Sequence, residues 1–227
     1  MATTQTALMK MFRNNRRYMK DLFCRLSVIL CLLSTSCGGN PTPKTPESKT
    51  ETGLNPDTAE NPFAIPAQSE PDTLEESVMA QAIGQVGDAQ IEIEYHSPAV
   101  RGRAIWGGVV PYNQLWVTGS HSATRLTIGA PLLFGGKELP AGKYALFTIP
   151  GRKEWEVIVN RDWNQHLTTQ YIRSRDVLRF TVKPSLQKIN QERLRYEVIS
   201  LGADSGQVTM CWEKVKIAIP VSGKATL

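Results

Sequence analysis

The feature that most restricts this chain is a two-residue hydrophobic period, punctuated by turn signals, running from about residue 85 to 221. Ala89-Gln90-Ile91-Glu92-Ile93-Glu94-Tyr95 alternates apolar with polar side chains. In an extended backbone that pattern sends one set to each face, so one face can be buried while the other stays wet. The same reading predicts strands over residues 123–128, 143–149, 155–160, 177–182, 194–200 and 207–219. Between them stand Gly135-Gly136, Pro140-Ala141-Gly142, Pro150-Gly151 and Gly202-Ala203-Asp204-Ser205-Gly206, residues that supply positive φ or interrupt a ladder. Seven or more short strands at this spacing predict an all-β fold, an antiparallel two-sheet sandwich. One short helix is expected over 162–173, with Asp162 as its cap. A second helical candidate, 73–83, leads into the domain.

The amino-terminal part has a different logic. Lys10, Arg13, Arg16, Arg17, Lys20 and Arg25 precede the apolar run 26–33, and Ser34-Thr35-Ser36-Cys37 follows. A basic flank, a short apolar core, small residues and a cysteine make the layout of a lipoprotein signal peptide. The run is far shorter than the ~20 residues needed to span a bilayer. Ser34 stands where a leucine is usual, with Leu33 one place earlier. The expectation is a leader over 1–36, with translation starting at Met1 or Met19, and lipidation of Cys37. Diacylglyceryl and palmitate chains would then hold the protein on a membrane. Gly38 and Gly39 carry no acidic retention signal and no acidic run follows. The outer membrane of a Gram-negative cell is therefore expected, on its periplasmic face in preference to the cell surface. Residues 37–76 are rich in Pro, Thr, Ser and Glu and read as a flexible linker; about 40 such residues span ~35 Å r.m.s.. The sandwich domain is assigned to 77–227.

Charge supports this division. The whole chain has 26 basic and 21 acidic residues, a net +5. The leader holds six of the basic and one of the acidic residues, so the mature chain carries 20 of each and is neutral. Neutrality removes the electrostatic case for a nucleic-acid partner. Of the cysteines, Cys24 and Cys31 leave with the leader and Cys37 takes lipid. Cys211 remains within Val208-Thr209-Met210-Cys211-Trp212 and reads as a buried core thiol.

Few side chains suggest chemistry. His96, His121 and His166 lack metal-ligand spacing and no Cys-x-x-Cys occurs, so no metal and no cofactor is expected. No Gly-x-Ser-x-Gly elbow is present. Gly135-Gly136-Lys137 lacks the spacing of a phosphate loop and reads as a hairpin turn. Ser120-His121-Ser122 is the one arrangement a hydrolase could use, with an acidic partner from elsewhere; the ordinary alternative is a surface histidine in a turn. Arg101 and Arg103 flank Gly102 near Trp106 and Tyr112. Guanidinium forks take carboxylates or phosphates and aromatic rings stack on sugars, so this segment is a candidate groove for an anionic or glycan ligand. The alternative is that these arginines pair across strands with Glu92, Glu94 or Asp176. Trp155 and Trp212 are expected in the core; Trp116 and Trp163, with Trp106, are the surface candidates.

The run from Tyr95-His96-Ser97-Pro98 through Arg101-Gly102-Arg103-Ala104-Ile105-Trp106 to Pro111-Tyr112 resembles domain-of-unknown-function family 2911, a bacterial family of secreted proteins and lipoproteins. Leu115-Trp116-Val117-Thr118-Gly119, Leu139-Pro140-Ala141-Gly142-Lys143-Tyr144, Trp155, Asn160, Asp162-Trp163, Asp176-Val177-Leu178-Arg179 and Trp212-Glu213 continue the resemblance in order, over about 90–221. Ser122 stands where that family is expected to carry an acidic residue. The resemblance implies export and a β fold but no particular activity. The expected function is therefore an envelope lipoprotein whose sandwich binds a small molecule, a glycan or a protein. A hydrolase using the Ser-His-Ser turn and a structural module of an outer-membrane complex are the alternatives.

Overall fold

The computed structural model describes residues 61–71 and 73–223. The leader, Cys37 and the linker up to residue 60 lie outside the described residues. Ten strands follow in order: β1 (Val78–Val86), β2 (Ala89–Ser97), β3 (Thr124–Ile128), β4 (Leu132–Phe134), β5 (Lys137–Leu139), β6 (Gly142–Pro150), β7 (Trp155–Asn160), β8 (Asp176–Val182), β9 (Ser185–Ser200) and β10 (Ser205–Gly223). They form a six-stranded sheet, β1-β2-β3-β6-β7-β8, and a four-stranded sheet, β5-β4-β10-β9. Every neighbouring pair is antiparallel.

The alternation read in the sequence is what builds the core. In β2, Ala89, Ile91, Ile93 and Tyr95 are buried while Gln90 is exposed and Glu92 and Glu94 are half-buried. Ile91, Ile93, Leu126, Phe134, Trp155, Val157, Leu194, Met210 and Trp212 meet between the sheets. The sheets approach closely at both margins. Beside β9, a Cβ on Gly84 would sit 2.6 Å from Val198 Cβ. At the other margin the rings of Phe134 and Phe180 meet edge to face at 5.9 Å, and Lys137 Nζ donates to Arg179 O. β6 is buried on both faces. Its second face carries a small cluster of Val117, Ala123, Ala145, Phe147 and Ile158, so the outer face of the larger sheet is roofed by the connections before β3 and after β7.

Two helical expectations are corrected. Residues 78–83 lie in β1, where Ala80, Ala82 and Val86 point inward and the whole strand pairs with β2; the ladder overrides the helical preference of Ala, Met and Gln. Residues 162–172 form irregular turns, and the helical element is a single 3-10 turn, Arg173–Arg175. Asn160 explains this. It is fully buried; its Oδ1 accepts from Asp162 N at 3.0 Å and Gln165 Nε2 at 3.1 Å. Its Nδ2 donates to Asp176 Oδ1 at 2.8 Å and Ile172 O at 3.1 Å. Side chains here satisfy polar groups that a helix would have satisfied with backbone.

Residues 61–71 and 73–77 lie along the margin between β1 and β9, and are called the strap below. Gln81 N donates to Phe63 O and Glu192 N to Gln68 O. Gln191 Nε2 donates to Pro66 O at 3.1 Å. The strap's carbonyls thus occupy strand-edge donors that would otherwise be open.

Candidate functional site

The chain leaving β2 crosses to the other sheet. Val100 N donates to Glu192 O and Leu194 N to Pro98 O, with Ala99 bridged to Arg193. The crossing ends in a tight turn in which Arg101 and Gly102 take successive positive φ values of 49° and 64° and Arg103 N returns to Val100 O. Glycine adopts the second of these without steric cost; the first is held by Glu192 Oε1, which accepts from Arg101 N at 2.8 Å. The turn therefore presents two arginines at one end of the sandwich.

These arginines line a cavity of about 590 Å³. Trp116, Trp212, Val109 and Val110 supply apolar surface, Ser120, His121 and Leu167 form another part of the lining, and Glu75, Glu76 and Ser77 of the strap contribute a wall. The alternative pairing of Arg101 and Arg103 with Glu92, Glu94 or Asp176 does not occur. Glu94 pairs with Arg125 and Asp176 with Arg179, and Glu92 accepts from Gln81. Arg101 NH2 instead donates to Leu74 O at 2.7 Å, and Arg103 donates to Val100 O and Ala99 O. Among the described residues neither guanidinium forms an ion pair. Backbone carbonyls fix both side chains without cancelling their charge.

Trp116 and Trp212 of the lining belong to a cluster of four tryptophans, with Trp106 and Trp155. Trp116 stacks on Trp212 at 5.9 Å with 18° between planes, and Trp106 lies 4.9 Å from Trp155. Trp155 and Trp212 are core, as expected. Trp106 is half-buried in this cluster rather than free at the surface, and supports the lining from behind. Trp116 Nε1 donates to Gly119 O at 3.0 Å, which fixes the ring against the loop carrying Ser120 and His121. Directly under that loop, Thr118 has φ 52° although β-branched and fully buried. Its Oγ1 bonds Leu146 O at 2.9 Å, and its own carbonyl accepts from Tyr196 OH at 3.0 Å and Thr124 Oγ1 at 3.1 Å. Burial pushes the Tyr196 phenol well above its usual range, so it remains a donor.

His121 lines the cavity at φ 62°. Its ring meets His96 edge to face at 5.2 Å, and burial, then the neighbouring His121, holds the His96 imidazole below its ordinary pKa. No side-chain hydrogen bond joins His121 to Ser120 or Ser122; the loop is held by Ser122 N to Ser120 O and Leu167 N to His121 O. Among the described residues no group of three or more His, Cys, Asp or Glu is placed to hold a metal. Cys211 is buried and desolvation pushes its thiol pKa up, the setting of an inert core cysteine.

The sequence candidates thus divide. Arg101, Arg103, Trp116 and His121 converge on one cavity, with Trp106 behind it. Tyr112 stands apart under the guanidinium of Arg152, 4.5 Å from its ring. Trp163 lies under Arg125 at 4.7 Å, in a separate cleft with Met79 and His96. Glu75, Glu76 and Leu167 were not among the sequence candidates, and Ser120 was a candidate only as part of the Ser-His-Ser turn. Glu75 and Glu76 carry no separate signal, because their segment has the composition of a linker.

Comparison with known proteins adds family membership to this geometry. A family model described as protein of unknown function (DUF2911) matches residues 77–221, and the chain belongs to that family. No curated protein and no solved structure matches the chain.

Proposed function

We propose that the domain is a non-enzymatic binding module that takes a small ligand with an anionic group and an apolar body into the cavity at the end of the sandwich. The observation that carries this reading is the pair Arg101 and Arg103. Both guanidiniums are fixed by carbonyls, unneutralised by a described carboxylate, and placed on a cavity lined by Trp116 and Val109. Charged donors beside an apolar wall are the makings of a small-molecule site, and a guanidinium fork matches a carboxylate or phosphate. The hydrolase alternative gains no support: His121 is hydrogen-bonded to neither adjacent serine, so no nucleophile–base pair is formed. We further propose that Cys37 is lipidated and that the domain works at the periplasmic face of an outer membrane, tethered by the intervening chain.

The test is a thermal-shift screen of aromatic and aliphatic carboxylates and phosphates, followed by calorimetry on each hit. Arg101→Met together with Arg103→Met is expected to weaken a true ligand by about tenfold or more, the worth of a charge-assisted hydrogen bond. A screen without hits, or hits indifferent to both substitutions, would overturn the binding reading. For the anchor, labelled palmitate should enter the wild-type protein and not the Cys37→Ala variant; equal labelling would exclude lipidation at that site.

A further inference from the structure

We infer that the ligand of this cavity is a zwitterion with an apolar body, of the class of an apolar amino acid or a short peptide. This rests on the binding reading above and names its ligand class. Charge distribution is what points to it. Two arginines, Arg101 and Arg103, line the cavity together with two glutamates, Glu75 and Glu76. None of the four forms an ion pair among the described residues. The reason is that the arginines are already committed to the carbonyls of Leu74, Val100 and Ala99. The strap that carries the glutamates is committed to Arg193, which donates to the carbonyls of Leu74 and Glu76 at 2.9 and 3.1 Å.

Opposite charges are therefore held in one cavity without cancelling. A ligand bearing only an anion would satisfy the arginines and lie among two uncompensated carboxylates. A ligand bearing only a cation would face the reverse difficulty. A molecule with both charges satisfies both sets, and the like-charge repulsion that a single-charge analogue meets from the unmatched pair is what selects against it. The apolar surface of Trp116, Val109 and Leu167 provides for the body between or beside the charges. The volume of about 590 Å³ lies within the range of small-molecule sites.

The experiment uses the full mature chain and a matched series in calorimetry: L-phenylalanine, 3-phenylpropanoate, which lacks the ammonium, and 2-phenylethylamine, which lacks the carboxylate. The dipeptide Leu-Phe is compared with its N-acetyl and C-terminal amide forms. The expected result is that one zwitterion, the amino acid or the dipeptide, binds at least about tenfold tighter than both of its single-charge analogues. Glu75→Gln with Glu76→Gln should then bring that zwitterion down to the affinity of its anionic analogue. Equal binding of the anionic analogue and the zwitterion would overturn this inference and leave the anion-binding reading standing. So would a failure of both series to bind while a carboxylate or phosphate from the thermal-shift screen does. Tightest binding by the cationic analogue, or no binding in this series or that screen, would overturn both.

Discussion

Arg193 offers a decisive test of whether the strap is part of the fold. Only 2 % of the residue is exposed, and its guanidinium joins the end of β2 to the strap: NH1 donates to Ser97 O at 2.9 Å and to Glu76 O, and NH2 to Leu74 O. A chain beginning at Ser77 removes the strap acceptors. Stranding one partner of a buried charged contact costs about 3–5 kcal/mol. Truncation also admits water to the guanidinium, so a loss near the lower end, about 3 kcal/mol, is expected. For a domain of this size that lowers Tm by about 6–12 °C. Arg193→Met supplies the control. In the longer chain it removes three charge-assisted hydrogen bonds, one of them to the buried Ser97 O, and should cost about 3 kcal/mol. In the truncated chain it removes the stranded charge and should cost no more than about 1 kcal/mol. Urea unfolding of the four proteins measures the difference as a coupling energy of about 2 kcal/mol. If Arg193→Met costs the same with and without residues 61–76, Arg193 does not hold the strap and the reasoning fails.

Two further outcomes follow from local geometry. Gly135 has φ 61° and a Cβ there would lie 2.3 Å from Phe180 Cε2, whereas Gly136, φ 77°, has nothing within 4 Å; Gly135→Ala should cost about 2–3 kcal/mol and Gly136→Ala about 1 kcal/mol by urea unfolding, and equal losses would contradict the packing described. His96 titrates below its unfolded value of about 6.5 because of burial and then His121. The unfolded state therefore takes up the proton first as pH falls below 6.5, so stability from this group is intact above that pH and declines on acidification through the lower folded pKa. Urea midpoints between pH 7.5 and 5 should fall less in His96→Gln than in wild type, and parallel curves would exclude His96 as a source of the acid sensitivity.

What the sequence discloses depends on how local the cause is. β2 is legible from its alternation, and β6 and β7 from the turn residues that flank them, causes that act within a few positions. β1 is not, because Ala80 and Ala82 are small and their neighbours favour helix; only pairing with β2 makes the segment extended. The turns at 162–172 are likewise governed by Asn160 and Asp176, whose partnership is invisible without the fold. The strap has the composition of a linker, and its attachment depends on Arg193, 119 positions from Leu74. Residue type nominated seven side chains, and only the fold brings Arg101, Arg103, Trp116 and His121 to one cavity. Tyr112 and Trp163 lie elsewhere, under Arg152 and Arg125, cations distant in sequence.

The backbone around the cavity bears on the binding proposal independently of its charges. Arg101, His121 and Leu167 all line it, and all three are non-glycine residues at positive φ, 49°, 62° and 53°. Thr118, next to them in the fold, is a fourth at 52°. Such conformations cost on the order of 1–3 kcal/mol each and persist only where surrounding contacts over-determine them. Those contacts are visible here: Glu192 on Arg101 N, Tyr196 OH on Thr118 O, and Leu167 N on His121 O. Tyr196 is itself locked against Tyr95, ring to ring at 4.7 Å, with its amide donating to Tyr95 OH at 3.1 Å; burial pushes the Tyr95 phenol up to about 12. Holding these four residues strained, through bonds rooted in the core, fixes the positions of Arg101 and His121 before anything enters, and a site fixed in advance loses less of its contact energy to ordering itself.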